Sequence, residues 1–266
     1  MNIHQQVRSE ILTLLANEQN PEITLRHTLR LLAKYRSLLI QNTLIQKNGT
    51  TVQAGPFAGM NFVAQSAEGC HIPKLLGCYE EELHPFLYTL AEQQYDLILN
   101  IGCAEGYYAV GMKKLSPHTQ ILAFDINPIA QKACADLAAK NSLEIEIGSE
   151  FKPEDFSRFV GKKVLIWCDI EGAERELLNP EVTPALKEMD LVVEFHPTPT
   201  GHTTLDMLPK FQTSHSIEIL QTQGHRPILP DFFLQLDHLD QLLAQWEWRS
   251  GPTPWAIMKT KQHKSA

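Results

Sequence analysis

The chain has 266 residues, of which 43% are hydrophobic, with a formal net charge of −8 and a pI near 5.8. That length suits one α/β domain of roughly 190 residues plus an appendage. The acidic balance argues against nucleic acid or an anionic membrane surface as partner, because both recruit proteins through basic charge. Cys70, Cys78, Cys103, Cys134 and Cys168 are odd in number and form no C-x-x-C pair, so they read as reduced thiols of a cytoplasmic protein. No apolar run resembles a signal peptide or reaches membrane-spanning length.

Residues 1–47 carry helical stripes, first Val7, Ile11, Leu14 and Leu15, then, after Asn20-Pro21, Leu25, Leu29, Leu32 and Leu39. Such an arm lids a site, forms a homodimer or packs on a core, and the pattern leaves all three open. Residues 50–80 are irregular, with turns and short strands expected, and a helix is expected over 81–93. The division is therefore 1–80 as helical extension, lid and lead-in, and 81–262 as the catalytic domain.

From Tyr95 onward strand and helix signals alternate, which predicts a parallel sheet covered by helices. Strands are expected near 96–101, 120–125, 143–147, 163–169 and 190–195, with helices near 105–115, 128–140 and 174–187. Ser216–Leu220 and Trp255–Lys259 are expected to close the sheet as an antiparallel pair, and 261–266 reads as a frayed tail.

The first strand breaks at Gly102 into Gly102-Cys-Ala-Glu-Gly106, a turn that opens a helix. Gly102 and Gly106 omit side chains where a ligand approaches the backbone, and the free N–H groups of the new helix face it. The second strand ends in Asp125, followed by Ile126, and an acid there accepts hydrogen bonds from ribose hydroxyls. A dinucleotide site needs G-x-G-x-x-G, and the middle glycine that admits a pyrophosphate is absent. S-adenosyl-L-methionine has no phosphates and suits a turn with Ala104 at that point.

This segment resembles motif I of the class I S-adenosylmethionine-dependent methyltransferases. The resemblance implies a doubly wound, Rossmann-like sheet, mostly parallel with an antiparallel last strand. It also implies cofactor contacts from Asn100, which stands where many members carry an acid, and from Gly102, Ala104, Glu105, Gly106 and Asp125 with Ile126. Ser149 and Glu150 follow the third strand, where that class commonly contacts the adenine amino group.

A second constellation lies at Trp167-Cys-Asp-Ile-Glu-Gly-Ala-Glu174 and Val192-Val-Glu-Phe-His-Pro197. Ligands of open α/β sheets bind beyond the carboxyl ends of strands, so Asp169, Glu171, Glu194 and His196 are expected to converge there. With Leu75-Leu-Gly-Cys-Tyr-Glu80 and Gly102–Tyr108, these residues resemble the FkbM-like methyltransferases, whose members carry D-x-E-G-A-E after strand four. That resemblance implies that Tyr79 and Glu80 belong to an element folding back on the cofactor, and that the acceptor is a small molecule.

The sulfonium already carries an activated methyl group, so the protein need only align the acceptor and help remove its proton. His196 serves as the base, or Asp169 and Glu194, with Glu171, hold a divalent ion such as Mg²⁺ or Mn²⁺ that lowers the acceptor pKa. Asp169 alternatively meets the methionine amino group or the acceptor, and Glu171 or Glu174 caps a helix. Trp246, Trp248, Arg249 and Trp255 line an acceptor pocket or anchor the core, and His202 is a loop histidine within reach of the pocket. The rival readings are intramolecular cyclisation of the cofactor, a nicotinamide oxidoreductase and a non-catalytic binding module.

Overall fold

The computed structural model describes residues 2–16, 20–63, 70–197, 204–222, 227–249 and 251–261. His202 and residues 262–266 lie outside the described residues. Two long helices come first, α1 (Ile3–Leu15) and α2 (Pro21–Asn48). Asn2 and Asn20 cap them through their side chains, and Pro21 occupies the first turn of α2, where its missing N–H costs nothing. The two helical stripes are only partly buried. α1 buries no residue, and Leu12, Leu25, Leu29 and Leu32 stay exposed. The second half of α2 joins the core through Ile40 and Leu44.

Between residues 50 and 96 the chain is less regular. Thr51 and Asn61 form a single antiparallel bridge, and a short helix, α3 (Ile72–Leu76), falls in the stretch expected to be turns and strands. The helix expected over 81–93 is broken into 3-10 turns at Glu81–Leu83 and Leu90–Gln93 around α4 (His84–Tyr88). Left-handed residues bound the segment, Glu80 at φ 49° and Gln94 at φ 51°.

The sheet follows in the expected order: β1 (Leu97–Ile101), β2 (Gln120–Phe124), β3 (Glu146–Gly148), β4 (Val164–Cys168), β5 (Asp190–Glu194), β6 (His215–Leu220) and β7 (Trp255–Thr260). Their spatial order is β3-β2-β1-β4-β5-β7-β6, with β1 to β5 parallel and β7 antiparallel to both β5 and β6. This is the mostly parallel, doubly wound sheet with an antiparallel last strand. β1, β4 and β5 are buried along their whole length, as strands covered on both faces must be.

Helices α5 (Tyr107–Leu115) and α6 (Pro128–Lys140) match their expected spans. The helix expected over 174–187 does not form as one piece. It shrinks to α7 (Glu174–Leu177), followed by a 3-10 turn over Pro184–Glu188, because Pro180 and Pro184 interrupt any continuous ladder. The last helix is α8 (His238–Gln245), which packs against α2. No helix among the described residues is long and apolar enough to cross a membrane. All five cysteines are buried and none is disulfide-bonded.

Candidate active site at the carboxyl ends of the strands

The strand order reverses between β1 and β4, and two cavities open at their carboxyl ends. One, of about 590 Å³, is lined by residues including Asn100, Glu105, Tyr108, Glu194, His196 and Arg249. The other, of about 600 Å³, is lined by residues including Asp125, Ile126, Ser149, Glu150 and Phe151. Both are bordered by Gly102, Asp169 and Glu171, so the two spaces meet at the switch point.

The glycine turn departs from its expected rationale. A Cβ on Gly102 would lie 1.6 Å from the Asp169 carbonyl oxygen, and one on Gly106 would lie 2.7 Å from Cys134 Sγ. These glycines let β4 and α6 approach the turn, rather than clearing space for a ligand. Both have positive φ, 81° and 90°, and Ala104 also stands in the left-handed region at φ 46°. Asp125 holds that turn in place. Its Oδ2 accepts from the Ala104 N–H at 3.0 Å and its Oδ1 from the Asn127 N–H at 2.8 Å. A carboxylate offers about four acceptor positions, so Asp125 keeps capacity for hydroxyl donors in the cavity it lines. Ile126 is 81% exposed at the same wall, Ser149 is exposed, and exposed Glu150 pairs with Lys152 at 3.4 Å.

The other cavity is a concentrated charge site. His196, 6% exposed, follows β5 and is anchored by its backbone N–H, which donates to Thr204 Oγ1 at 3.1 Å. Its Nδ1 meets Glu174 Oε1 at 3.1 Å, and that oxygen also accepts from the N–H groups of Gly172 and Ile170. Glu174 thus closes the α7 entry and orients the imidazole together. The Nε2 edge lies 3.6 Å from Asp169 Oδ1, Glu171 Oε2 and Glu194 Oε2. Asp169 Oδ1 is buried without a hydrogen-bond partner, and Glu171 stands at the rim with its side chain 79% exposed.

Arg249, expected to line a pocket or anchor the core, lines this cavity and is its charge hub. Its Nη2 donates to Glu80 Oε1 at 2.6 Å, its Nε to Glu247 Oε2 at 2.7 Å, and its Nη1 to Glu194 Oε1. Glu80 therefore sits behind Arg249, not on the cavity wall, with its other oxygen accepting from the Tyr108 hydroxyl. Trp248 lines the cavity with Arg249, whereas Trp255 is fully buried beneath Trp167 at a ring separation of 5.4 Å. Glu247 and Lys74 were not foreseen, because nothing local to either residue marks it as facing this space.

Electrostatics follow from crowding. Burial, then the Glu194 charge, push the Glu80 carboxyl up to about 8 against the pull of Arg249. Exclusion from water, then the charges of Glu194, Glu80 and Glu171, hold Asp169 well above the usual carboxylate range. Burial lowers His196, but the Glu174 hydrogen bond and the surrounding carboxylates outweigh it, so the imidazole titrates above its ordinary value. Burial raises Glu174, and the hydrogen bonds from His196 and Gly172 more than reverse that. Carboxyls outnumber cations here, so a cationic ligand would relieve the repulsion.

Two groups fit the residues present. A sulfonium cofactor with an adenosine and an amino-acid end fits two joined cavities, one lined by the Asp125 carboxylate and one rich in carboxyls, where buried Asn100 Oδ1 lacks a partner. A divalent ion fits Asp169, Glu171 and His196, which each offer one donor atom within 4.8 Å of the others.

No protein-family model and no curated protein matches the chain. Among solved structures it is similar to the O-methyltransferase TomG from Streptomyces achromogenes, in complex with SAM, at 13% identity over 66% of this chain and 80% of that one, TM-score 0.44. It is also similar to a putative O-methyltransferase from Klebsiella pneumoniae at 13% identity, covering 84% and 96%, TM-score 0.45. An O-methyltransferase from Bacillus cereus in complex with SAH matches at 12% identity, covering 67% and 80%, TM-score 0.43.

Proposed function

We propose that this chain is an S-adenosyl-L-methionine-dependent methyltransferase that methylates an oxygen of a small-molecule acceptor. The observation that carries the reading is the pair of cavities joined at Gly102, Asp169 and Glu171, one edged by Asp125 and the other crowded with carboxyls. The D-x-E-G-A-E segment at Asp169–Glu174 supports an FkbM-like methyltransferase in particular.

When bound, the cofactor supplies a methyl group on a positively charged sulfur that is ready to leave. Asp125 would hold the adenosine end in its cavity, and the Gly102–Glu105 turn the methionine end in the other. Asp169 and Glu194 face the space a sulfonium would enter, where its positive charge would favour ionised carboxyls, and Tyr108 and Trp167, with ring centroids 4.5 Å apart, line the same cavity and would exclude water from the transfer. His196 Nε2 takes the acceptor's hydroxyl proton while Glu174 holds the ring through Nδ1. His196 would hold the displaced proton while the acceptor oxygen gains the methyl carbon and the donor leaves as the thioether.

A second reading is favoured by the Asp169, Glu171 and His196 cluster: a divalent ion there would lower the acceptor's pKa in place of the free imidazole. The buried, unpaired thiols support a cytoplasmic setting, and the exposed Leu12, Leu25, Leu29 and Leu32 support a second copy of the chain as partner.

Calorimetric titration of chelator-treated protein with S-adenosylhomocysteine, repeated with Mg²⁺ or Mn²⁺, tests the reading. Binding that Asp125→Ala abolishes supports the cofactor site, and a metal-dependent affinity supports the second reading. Absence of binding under all conditions removes the methyltransferase proposal. With candidate acceptors, mass spectrometry showing methylthioadenosine instead of S-adenosylhomocysteine would point to cyclisation.

A further inference from the structure

The proposed cofactor ends in an α-amino carboxylate, and a buried site must match both of its charges. Lys74, on α3, lies 2.6 Å through Nζ from Glu105 Oε1, and the two side chains are only 6% and 1% exposed. Both border the larger-charge cavity beside Gly102 and Ala104. A buried ion pair contributes little stability compared with an apolar pair of the same shape. One built into a cavity wall, with the Lys74 ammonium also against the rings of Tyr79 and Tyr107 at 5.0 and 5.7 Å, presents fixed charge to whatever enters.

The other cations on this cavity have different engagements. Arg249 is shared among Glu80, Glu194 and Glu247, and Lys34 lies over the Trp248 ring at 5.0 Å. Asn100 adds an independent observation. It is 1% exposed, and its Nδ2 donates to the Trp167 carbonyl at 3.5 Å, which leaves Oδ1 buried, without a partner, on a residue that lines the cavity. An oxygen so stranded calls for a donor such as an ammonium. Asn100 is the penultimate residue of β1 and Glu105 follows Gly102 in the turn, and both line the same cavity as Lys74.

We propose that Lys74, Glu105 and Asn100 form a zwitterion subsite, with Lys74 taking the carboxylate of the cofactor's amino-acid end and Asn100 Oδ1 and Glu105 taking its ammonium. This rests on the cofactor reading above and adds Lys74 as a residue that decides between intact and truncated cofactor analogues.

The test is calorimetry on the full chain with three probes: S-adenosylhomocysteine, its decarboxylated analogue 5′-deoxy-5′-(3-aminopropylthio)adenosine, and 5′-methylthioadenosine, which lacks the amino-acid end. The unsubstituted protein is expected to bind S-adenosylhomocysteine at least about 10-fold more tightly than the decarboxylated analogue. Lys74→Met is expected to lose about 10- to 100-fold for S-adenosylhomocysteine and to bind methylthioadenosine as the parent does, with Lys74→Arg recovering part of the loss. A Lys74→Met protein weakened equally toward all three probes makes Lys74 a structural anchor and overturns the subsite, as does one weakened toward none. If Lys74→Met shows no folded transition, the parent's preference between the first two probes decides, and equal binding overturns the subsite. A parent that binds none of the three removes the cofactor reading itself, and the subsite with it.

Discussion

His196 has one ring nitrogen turned to a fully buried carboxylate and the other toward three more, and this arrangement sets how it must behave in solution. Its titration lies above that of an ordinary histidine, so it is protonated at the acid end of the neutral range and acts as a base only as pH rises through that raised value. We therefore expect kcat/KM to climb with pH along a limb set by His196, and Glu174→Gln, which removes the carboxylate charge behind the ring, to move that limb to lower pH. A pH–rate profile in which the two proteins coincide would remove His196 from the role. His196→Ala should cost about 10²–10⁴ in kcat and leave S-adenosylhomocysteine affinity within about threefold, read by single-turnover kinetics and calorimetry. The residues most legible in the sequence were those whose meaning is local. Asp125 closes a turn 21 residues back, and Asp169 and His196 end neighbouring strands. Glu247 and Lys74 were hidden, and Arg249 was legible as a pocket residue but not in its partners, because those stand far off in the chain, as with Arg249 and Glu80, 169 positions apart.

Among elements, the sheet was readable because continuous apolar runs bounded by turns are what a doubly covered parallel strand requires. The short helices were not, since Pro85, Pro180 and Pro184 cut patterns whose spacing alone looked continuous. The glycine turn was found for an incomplete reason, because sequence cannot show that the Asp169 carbonyl lies where a Gly102 side chain would be. Gly102→Ala must move β4 relative to β1, which makes overpacking and left-handed strain add. The expected loss is about 3 kcal/mol, a fall of roughly 6–12 °C in Tm, measured by calorimetric melting. Gly161, with open space around it despite its positive φ of 81°, should lose only about 1 kcal/mol on the same change. Equal losses at the two positions would mean that backbone strain, not the close approach to Asp169, governs the turn.

For the molecule as a whole, the crowded carboxyls couple stability to pH in an unusual direction. Glu80 titrates near 8 when folded and in the ordinary carboxylate range when unfolded, so between these values the folded chain binds the additional proton. Its contribution to stability is full at the acid end of that window and is lost as pH rises toward 8. His196, also raised, adds to the same slope, while Glu174 and Asp190, both lowered, have already made their contribution above their unfolded values. Melting of the protein alone is expected to fall from pH 6 to pH 8, with Glu80→Gln flattening the slope; a slope unchanged in that variant would show that Glu80 does not carry it. Around this charged centre the wall is provided by distant parts of the chain. Arg30 of α2 donates to the carbonyls of Trp248 and Arg249, Trp248 Nε1 donates to Ser37, and the Arg36 guanidinium grips Asp240 of α8. The charged groups at the strand ends hold one side of this space, whereas α2 reaches the cavity lining through Lys34 and otherwise braces the carboxyl-terminal loop that carries Trp248 and Arg249. Substitutions along α2 are therefore expected to reshape this cavity at one remove, through the loop that α2 braces, while the groups at the strand ends keep their places.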